Sequence, residues 1–146
     1  MNPIGISWGC FGPLPIAEQI RLMRENGFDH TFTGAENKRL DDVMPALRDA
    51  GIVCDNYHAP FDGINTIWLP GEDGDRMAAR LCASVDTCVK WGVPALVVHL
   101  SAGQHPPRVT DAGHERWAAL MDKAEKEGII ICYENQRMLS NLAYAF

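Results

Sequence analysis

One phrase recurs along this chain and limits what it can fold into: an amphipathic helical stretch, a glycine, a short apolar run, then polar residues. The copies centre on Gly27, Gly51, Gly92 and Gly128. They read Gly27-Phe28-Asp29-His30-Thr31-Phe32-Thr33, Gly51-Ile52-Val53-Cys54-Asp55-Asn56-Tyr57-His58, Gly92-Val93-Pro94-Ala95-Leu96-Val97-Val98-His99 and Gly128-Ile129-Ile130-Ile131-Cys132-Tyr133-Glu134-Asn135. A glycine just past a periodic apolar segment is a helix stop. The short apolar run behind it reads as a buried strand. The last three copies carry His58, His99 and Glu134 to the C-terminal ends of their strands.

Strands are expected at about 4–7, 28–32, 52–56, 95–98 and 129–133. Between them, apolar residues at helical spacing mark four helices. Ile16, Ile20 and Met23 mark the first, and Leu40, Val43, Met44 and Leu47 the second. Met77, Leu81, Val85, Cys88 and Val89 face inward from the third; Trp117, Leu120, Met121 and Ala124 do so from the fourth. Pro45 is tolerable in the second only if Asp41 or Asp42 caps it, placing the proline in the first turn. Leu139, Leu142, Ala143 and Phe146 begin one more amphipathic pattern.

The order is therefore βα repeated five times, with no linker or charge block to separate a second domain, so 1–146 reads as one unit. Such alternation argues for a parallel sheet covered by helices. The long loops, 57–73 and 101–108, follow strands, while the connections into strands are tight glycine turns. That asymmetry puts the working face at the strand C-termini, in barrels and doubly wound sheets alike. A loop as long as 57–73 in a compact domain is expected to be functional or mobile.

Composition narrows the function. The net charge of −6 argues against broad capture of nucleic acid or an anionic membrane. No apolar stretch is long enough for a membrane span, and no secretory signal is evident. The five cysteines are odd in number and lack CxxC spacing, which reads as reduced, buried thiols in a cytoplasmic protein. Neither a phosphate-binding glycine motif nor a GxSxG elbow is present.

The chemistry rests on three residues. Glu134 follows three isoleucines, a cysteine and a tyrosine, and a carboxylate there needs a charge partner, a metal or a raised pKa. His99 follows a buried strand and His58 opens the long loop; either imidazole can bind a metal or a substrate oxygen. Adjacent parallel strands lie about 4.8 Å apart, so strands three to five hold the three in one arc. Two histidines and a carboxylate suit a divalent ion: zinc, manganese, magnesium or cobalt. Asn135 orients the carboxylate, binds substrate or caps the next helix. Trp68 lies over a sugar face or anchors its loop. His30, Asp29 and Asn56 face the site or plug the sheet's other end, and His105 and His114 read as loop and surface residues.

At these residues the chain resembles the xylose-isomerase-like TIM-barrel superfamily of sugar-phosphate isomerases and epimerases, with metal-dependent apurinic endonucleases as relatives. The matching pieces are Ile4-Gly5-Ile6-Ser7, His58-Ala59-Pro60, Val97-Val98-His99 and Tyr133-Glu134-Asn135. The resemblance implies that Glu134 binds metal and acts as an acid/base. It gives His58 and His99 a substrate-contacting role in the isomerase branch and a zinc-binding role in the endonuclease branch. The implied chemistry is proton abstraction beside the carbonyl of a small sugar or sugar phosphate. A complete (β/α)8 barrel takes about 250 residues. The expected fold is thus an incomplete TIM-type barrel of about five parallel βα units, lacking the family's second glutamate and inactive alone. Its exposed barrel edges predict a homo-oligomer. The alternatives are an endonuclease-like zinc phosphodiesterase and a non-catalytic fragment that binds a metal or small ligand.

Overall fold

The computed structural model describes residues 3–103 and 105–134. Asn135 and the apolar pattern that ends the chain lie outside them. In chain order the elements are β1 (Gly5–Ser7), a 3₁₀ turn (Trp8–Phe11), α1 (Ile16–Glu25), β2 (His30–Gly34) and α2 (Leu40–Asp49). They continue with β3 (Val53–His58), a second 3₁₀ turn (Ile64–Trp68), α3 (Glu72–Trp91), β4 (Ala95–Val98), α4 (Asp111–Glu127) and β5 (Ile130–Tyr133). All five strands are parallel and stand in the order β1-β2-β3-β4-β5. Each unit lays its strand beside the previous one. That is how a barrel grows, whereas a doubly wound sheet reverses direction at a switch point.

The recurrent glycine works the same way in all four copies. Gly27, Gly51, Gly92 and Gly128 adopt positive φ between 67° and 78°. The residue after each donates its N–H to a carbonyl five positions back, always at 2.9 Å: Phe28 to Met23, Ile52 to Leu47, Val93 to Cys88 and Ile129 to Ala124. This is the Schellman closure of a helix. It also explains why three strands begin later than their apolar runs. Phe28, Ile52 and Ile129 finish the helices, so β2 starts at His30, β3 at Val53 and β5 at Ile130. β2 and β3 also run two residues further than expected, so β3 takes in Tyr57 and ends on His58.

Helix α2 departs from expectation. It starts at Leu40, with Arg39 and not an aspartate at the N-cap, so Pro45 sits in the second turn. Asn37 Oδ1 accepts the Arg39 N–H at 3.0 Å and fixes this earlier start. Asp41 and Asp42 lie in the first turn, where their charges favour the helix dipole.

The two faces of the sheet differ. Thr31, Thr33, Cys54, Leu96 and Val98 point outward and are buried under the helices, where Met23, Leu47, Leu81, Val85 and Leu120 complete the core. The alternating residues on the inner, concave side are open: Phe32 is 41% exposed, Val53 49% and Ile130 62%. Two helix positions read as inward-facing, Val89 and Met121, are exposed as well. Cys54 and Cys88 are buried, but Cys10 and Cys132 are exposed, so the expectation of buried thiols holds only in part. Among the described residues no helix is long and apolar enough to cross a membrane.

Candidate functional site

His58 ends β3, His99 follows β4 and Glu134 follows β5, whose ladder continues through a Glu134 N–H bond to the Val98 carbonyl at 2.9 Å. The parallel register brings the three to the same mouth of the sheet. His58 Nε2 lies 3.0 Å from His99 Nε2 and 3.1 Å from Glu134 Oε2, and His99 Nε2 lies 3.3 Å from the same oxygen. Room for His58 comes from Gly34 on the neighbouring strand. A Cβ there would stand 2.8 Å from the His58 Cβ and 2.6 Å from a Glu36 carboxylate oxygen.

The other ring nitrogens settle the tautomers. His58 Nδ1 lies 2.9 Å from the Ala59 carbonyl, and His99 Nδ1 lies 3.1 Å from the Glu134 carbonyl. A carbonyl oxygen only accepts, so each Nδ1 carries a proton and donates it. In the neutral rings both Nε2 atoms then present lone pairs to one point, where a carboxylate oxygen joins them. Three acceptors meeting at about 3 Å repel one another unless a proton or a cation sits among them. Locking a ring through an Nδ1–H to carbonyl bond is also how proteins orient a metal-binding histidine.

The donor set fits a metal. Ligands about 2.0–2.2 Å from a tetrahedral zinc stand roughly 3.3 Å apart, and octahedral ligands at about 2.1 Å stand roughly 3.0 Å apart. The observed triangle spans that range. The ligand atoms of these three residues lie within 4.8 Å of one another. Burial pushes the His99 pKa down, the neighbouring His58 lowers it further, and Glu134 partly offsets both. His99 is 6% exposed and carries the Phe61 ring at 4.7 Å between centroids, whereas the Glu134 side chain is 53% exposed at the mouth. Beside the triad an open cavity of about 420 Å³ is lined by Glu36, Lys38, His58, Phe61, Asp62 and Arg80.

The remaining candidates lie elsewhere. Trp68 is fully buried, its indole N–H donated to the Leu100 carbonyl at 2.6 Å, so it has no ring face for a sugar and anchors its loop. His30 and Asp29 are at the strand N-terminal end. His30 pairs with Asp55 at 2.7 Å, and Asp29 Oδ1 accepts the Ile4 N–H. Asn56 sits mid-strand, in register with Phe32 and Ala95. His105 is exposed in its loop, and His114 is exposed on α4 with an edge contact to Trp68. Asn135 is outside the described residues. Phe61, Glu36 and Gly34 escaped sequence reasoning. An aromatic three residues after His58 was the one local sign of Phe61.

No protein-family model and no curated protein matches the chain. Its fold, however, matches solved structures closely. A 3-keto-D-glucoside 4-epimerase from E. coli superposes with a TM-score of 0.72 at 19% identity over 97% of this chain and 59% of its own. An L-ribulose 3-epimerase gives 0.69 at 21% over 97% and 52%. A xylose isomerase-like TIM-barrel protein from Mycobacterium smegmatis, solved with magnesium, gives 0.61 at 20% over 90% and 54%. The chain spans a little over half the length of these structures. It has the fold of part of a xylose isomerase-like TIM barrel: five successive parallel βα units in an open sheet.

Proposed function

We propose that this chain is the N-terminal part of a metal-dependent sugar or sugar-phosphate isomerase or epimerase. One observation carries the reading. Two tautomer-locked imidazoles and a carboxylate aim three acceptors at one point, at the sheet end where such barrels work. Support comes also from the neighbours, two of which are named as sugar epimerases.

In this reading His58, His99 and Glu134 hold a divalent ion. When bound, the ion supplies Lewis-acid stabilisation of negative charge developing on sugar oxygens. Glu134, open to the mouth, takes the proton from the carbon beside the sugar carbonyl. His58 and His99 stay fixed by their carbonyl bonds and keep both Nε2 atoms aimed at the ion's position. Phe61 shields His99 from water, and the adjoining cavity accepts the rest of the sugar. Epimerisation needs an acid on the opposite face, which the resemblance assigns to a second glutamate beyond these five units. Epimerase turnover is therefore expected only where that second glutamate is supplied, and a second copy covers the open inner face of these five units in a cytoplasmic homo-oligomer.

Calorimetric titration with Zn²⁺, Mn²⁺, Mg²⁺ and Co²⁺ tests the site. One ion should bind per chain, at least roughly tenfold more weakly in folded Glu134→Gln and His99→Ala variants. Unchanged affinity in both would sink the reading. The paired nitrogen donors favour a second reading, a zinc phosphodiesterase. Turnover of a phosphodiester by the zinc-loaded chain, without ketose epimerisation, would select it.

A further inference from the structure

We infer that Asn65 and Arg116, neither of which touches the triad, are positioning residues that set the His58–His99 geometry, Asn65 by stitching together the two loops behind these histidines and Arg116 by pinning the first of them to α4. The inference rests on the triad as a cation site. β4 ends at Val98, so the sheet ladder does not hold His99 directly. Its place is set by the bond to the Glu134 carbonyl, by the Phe61 ring and by the loop it opens.

That loop is fastened to the loop after β3 at several points. Asn65 uses both ends of its side-chain amide: Nδ2 donates to the Ala102 carbonyl at 2.8 Å, and Oδ1 accepts the Ala102 N–H at 2.7 Å. The amide thus stands in for a strand residue between the two loops. Trp68 donates to the carbonyl of Leu100, the residue next to His99. Thr110 Oγ1 donates to the Trp68 carbonyl at 2.6 Å and accepts the Gly113 N–H, capping α4. From α4, Arg116 sends its guanidinium across the far end of the turn. Nη1 donates to Ile67 and Leu69 at 2.8 and 2.6 Å, Nη2 to Gly71 at 3.1 Å, and both Nε and Nη2 to Asp75.

Two glycines make the fit possible. A Cβ at Gly113 would stand inside the Trp68 ring, and one at Gly74 would meet the Arg116 guanidinium. Three main-chain carbonyls and a carboxylate satisfy one fork, a geometry that lysine cannot reproduce. Phe61 and the 3₁₀ turn lie on the segment so pinned, so a wall built this way holds the two Nε2 atoms together before any ligand arrives. Pre-organisation of that kind raises affinity by removing the ordering that binding otherwise demands.

Cobalt(II) is the probe, because its visible bands report ligand geometry as well as occupancy. Asn65→Ala and Arg116→Ala should each weaken Co²⁺ binding about tenfold and alter the bands. Leu47→Ala, fully buried on α2 and on neither the pinned loops nor α4, should lower the melting temperature while leaving the bands unchanged. Wild-type affinity and spectrum in both loop variants would overturn the inference. Should either fail to fold, Asn65→Asp, which keeps the acceptor, and Arg116→Lys replace them with the same expectation. If wild-type protein binds no Co²⁺, the proposed cation site fails instead. The wall is then judged on metal-free protein from the ¹⁵N imidazole signals, and a His58–His99 contact that persists in Asn65→Ala overturns it.

Discussion

The two faces of this sheet are made from the same kinds of residue and meet opposite fates. The outer face lies under four helices, and its side chains share one continuous core. The inner face offers Phe32, Val53 and Ile130 to solvent, between β1 and β5, which each have one strand neighbour among the described residues. Stability in this molecule therefore belongs to the helix-covered layer, and the inner face is an apolar surface awaiting a cover. The site occupies the rim between them, where polar groups close the outer layer and open the inner one.

Substitutions can break this contrast. Leu81→Ala or Leu96→Ala, each removing a fully buried side chain, should destabilise by about 2–5 kcal/mol in urea unfolding. Ile130→Ala on the inner face should change stability by less than about 0.5 kcal/mol in a monomer. A loss comparable to that at Leu96, growing with protein concentration, would mean that the inner face is covered. Gly113→Ala attacks the outer layer by crowding, since its Cβ meets Trp68, and a loss of about 1–3 kcal/mol is expected.

Self-association sharpens the picture from the other side. Sedimentation at micromolar concentration should show association in the wild type and a monomer in Phe32→Asp. A monomeric wild type would refute association through this face. The thiols give the smallest effect. Burial pushes Cys54 up to about 11 and Cys88 up to about 12, while Cys132 lies exposed on the inner side. A disulfide reagent near pH 8 should therefore label Cys10 and Cys132 fast and Cys54 and Cys88 only on unfolding. Both shifts are upward, so their stabilisation is whole below the ordinary thiol value of 9.0 and declines as pH rises towards about 12. Unfolding midpoints across that interval should fall, and by less in Cys88→Ala than in the wild type.

Periodicity made the βα alternation and the delivery of His58, His99 and Glu134 to strand ends legible, because a helix stop followed by an apolar run is a local pattern; the side-by-side strand order is implied only by the family resemblance. The same periodicity overreached at Val89 and Met121. Each fourth-residue step turns about 40° past a full circle, so the third such step from Met77 leaves Val89 outside the buried stripe. Met121 drifts from Trp117 and Leu120 in the same manner. Nothing local marks Asn65 or Arg116, whose partners lie about 40 residues away in sequence. Nor does any side-chain pattern announce the tautomer locks, since main-chain carbonyls provide them. Trp68 illustrates the remaining ambiguity: an aromatic in a long loop reads equally as a platform or a peg until its indole N–H finds Leu100.

The Glu134 N–H bond to Val98 has a thermodynamic consequence. Among the described residues β5 has one strand neighbour, yet it leads into the carboxylate that completes a constellation begun on β3. A ligand held by His58, His99 and Glu134 as proposed would bridge three strands and so bind only molecules in which the last one is docked. Linkage then requires that occupancy shift the opening equilibrium of β5 by RT ln(1 + L/Kd), with L the free ligand concentration, about 2.7 kcal/mol at a hundredfold excess over Kd. Amide exchange at Ile131 and Cys132 would slow on ligation far more than exchange in β2. A site of this kind acts as a latch on the assembly of the sheet as well as a place for chemistry.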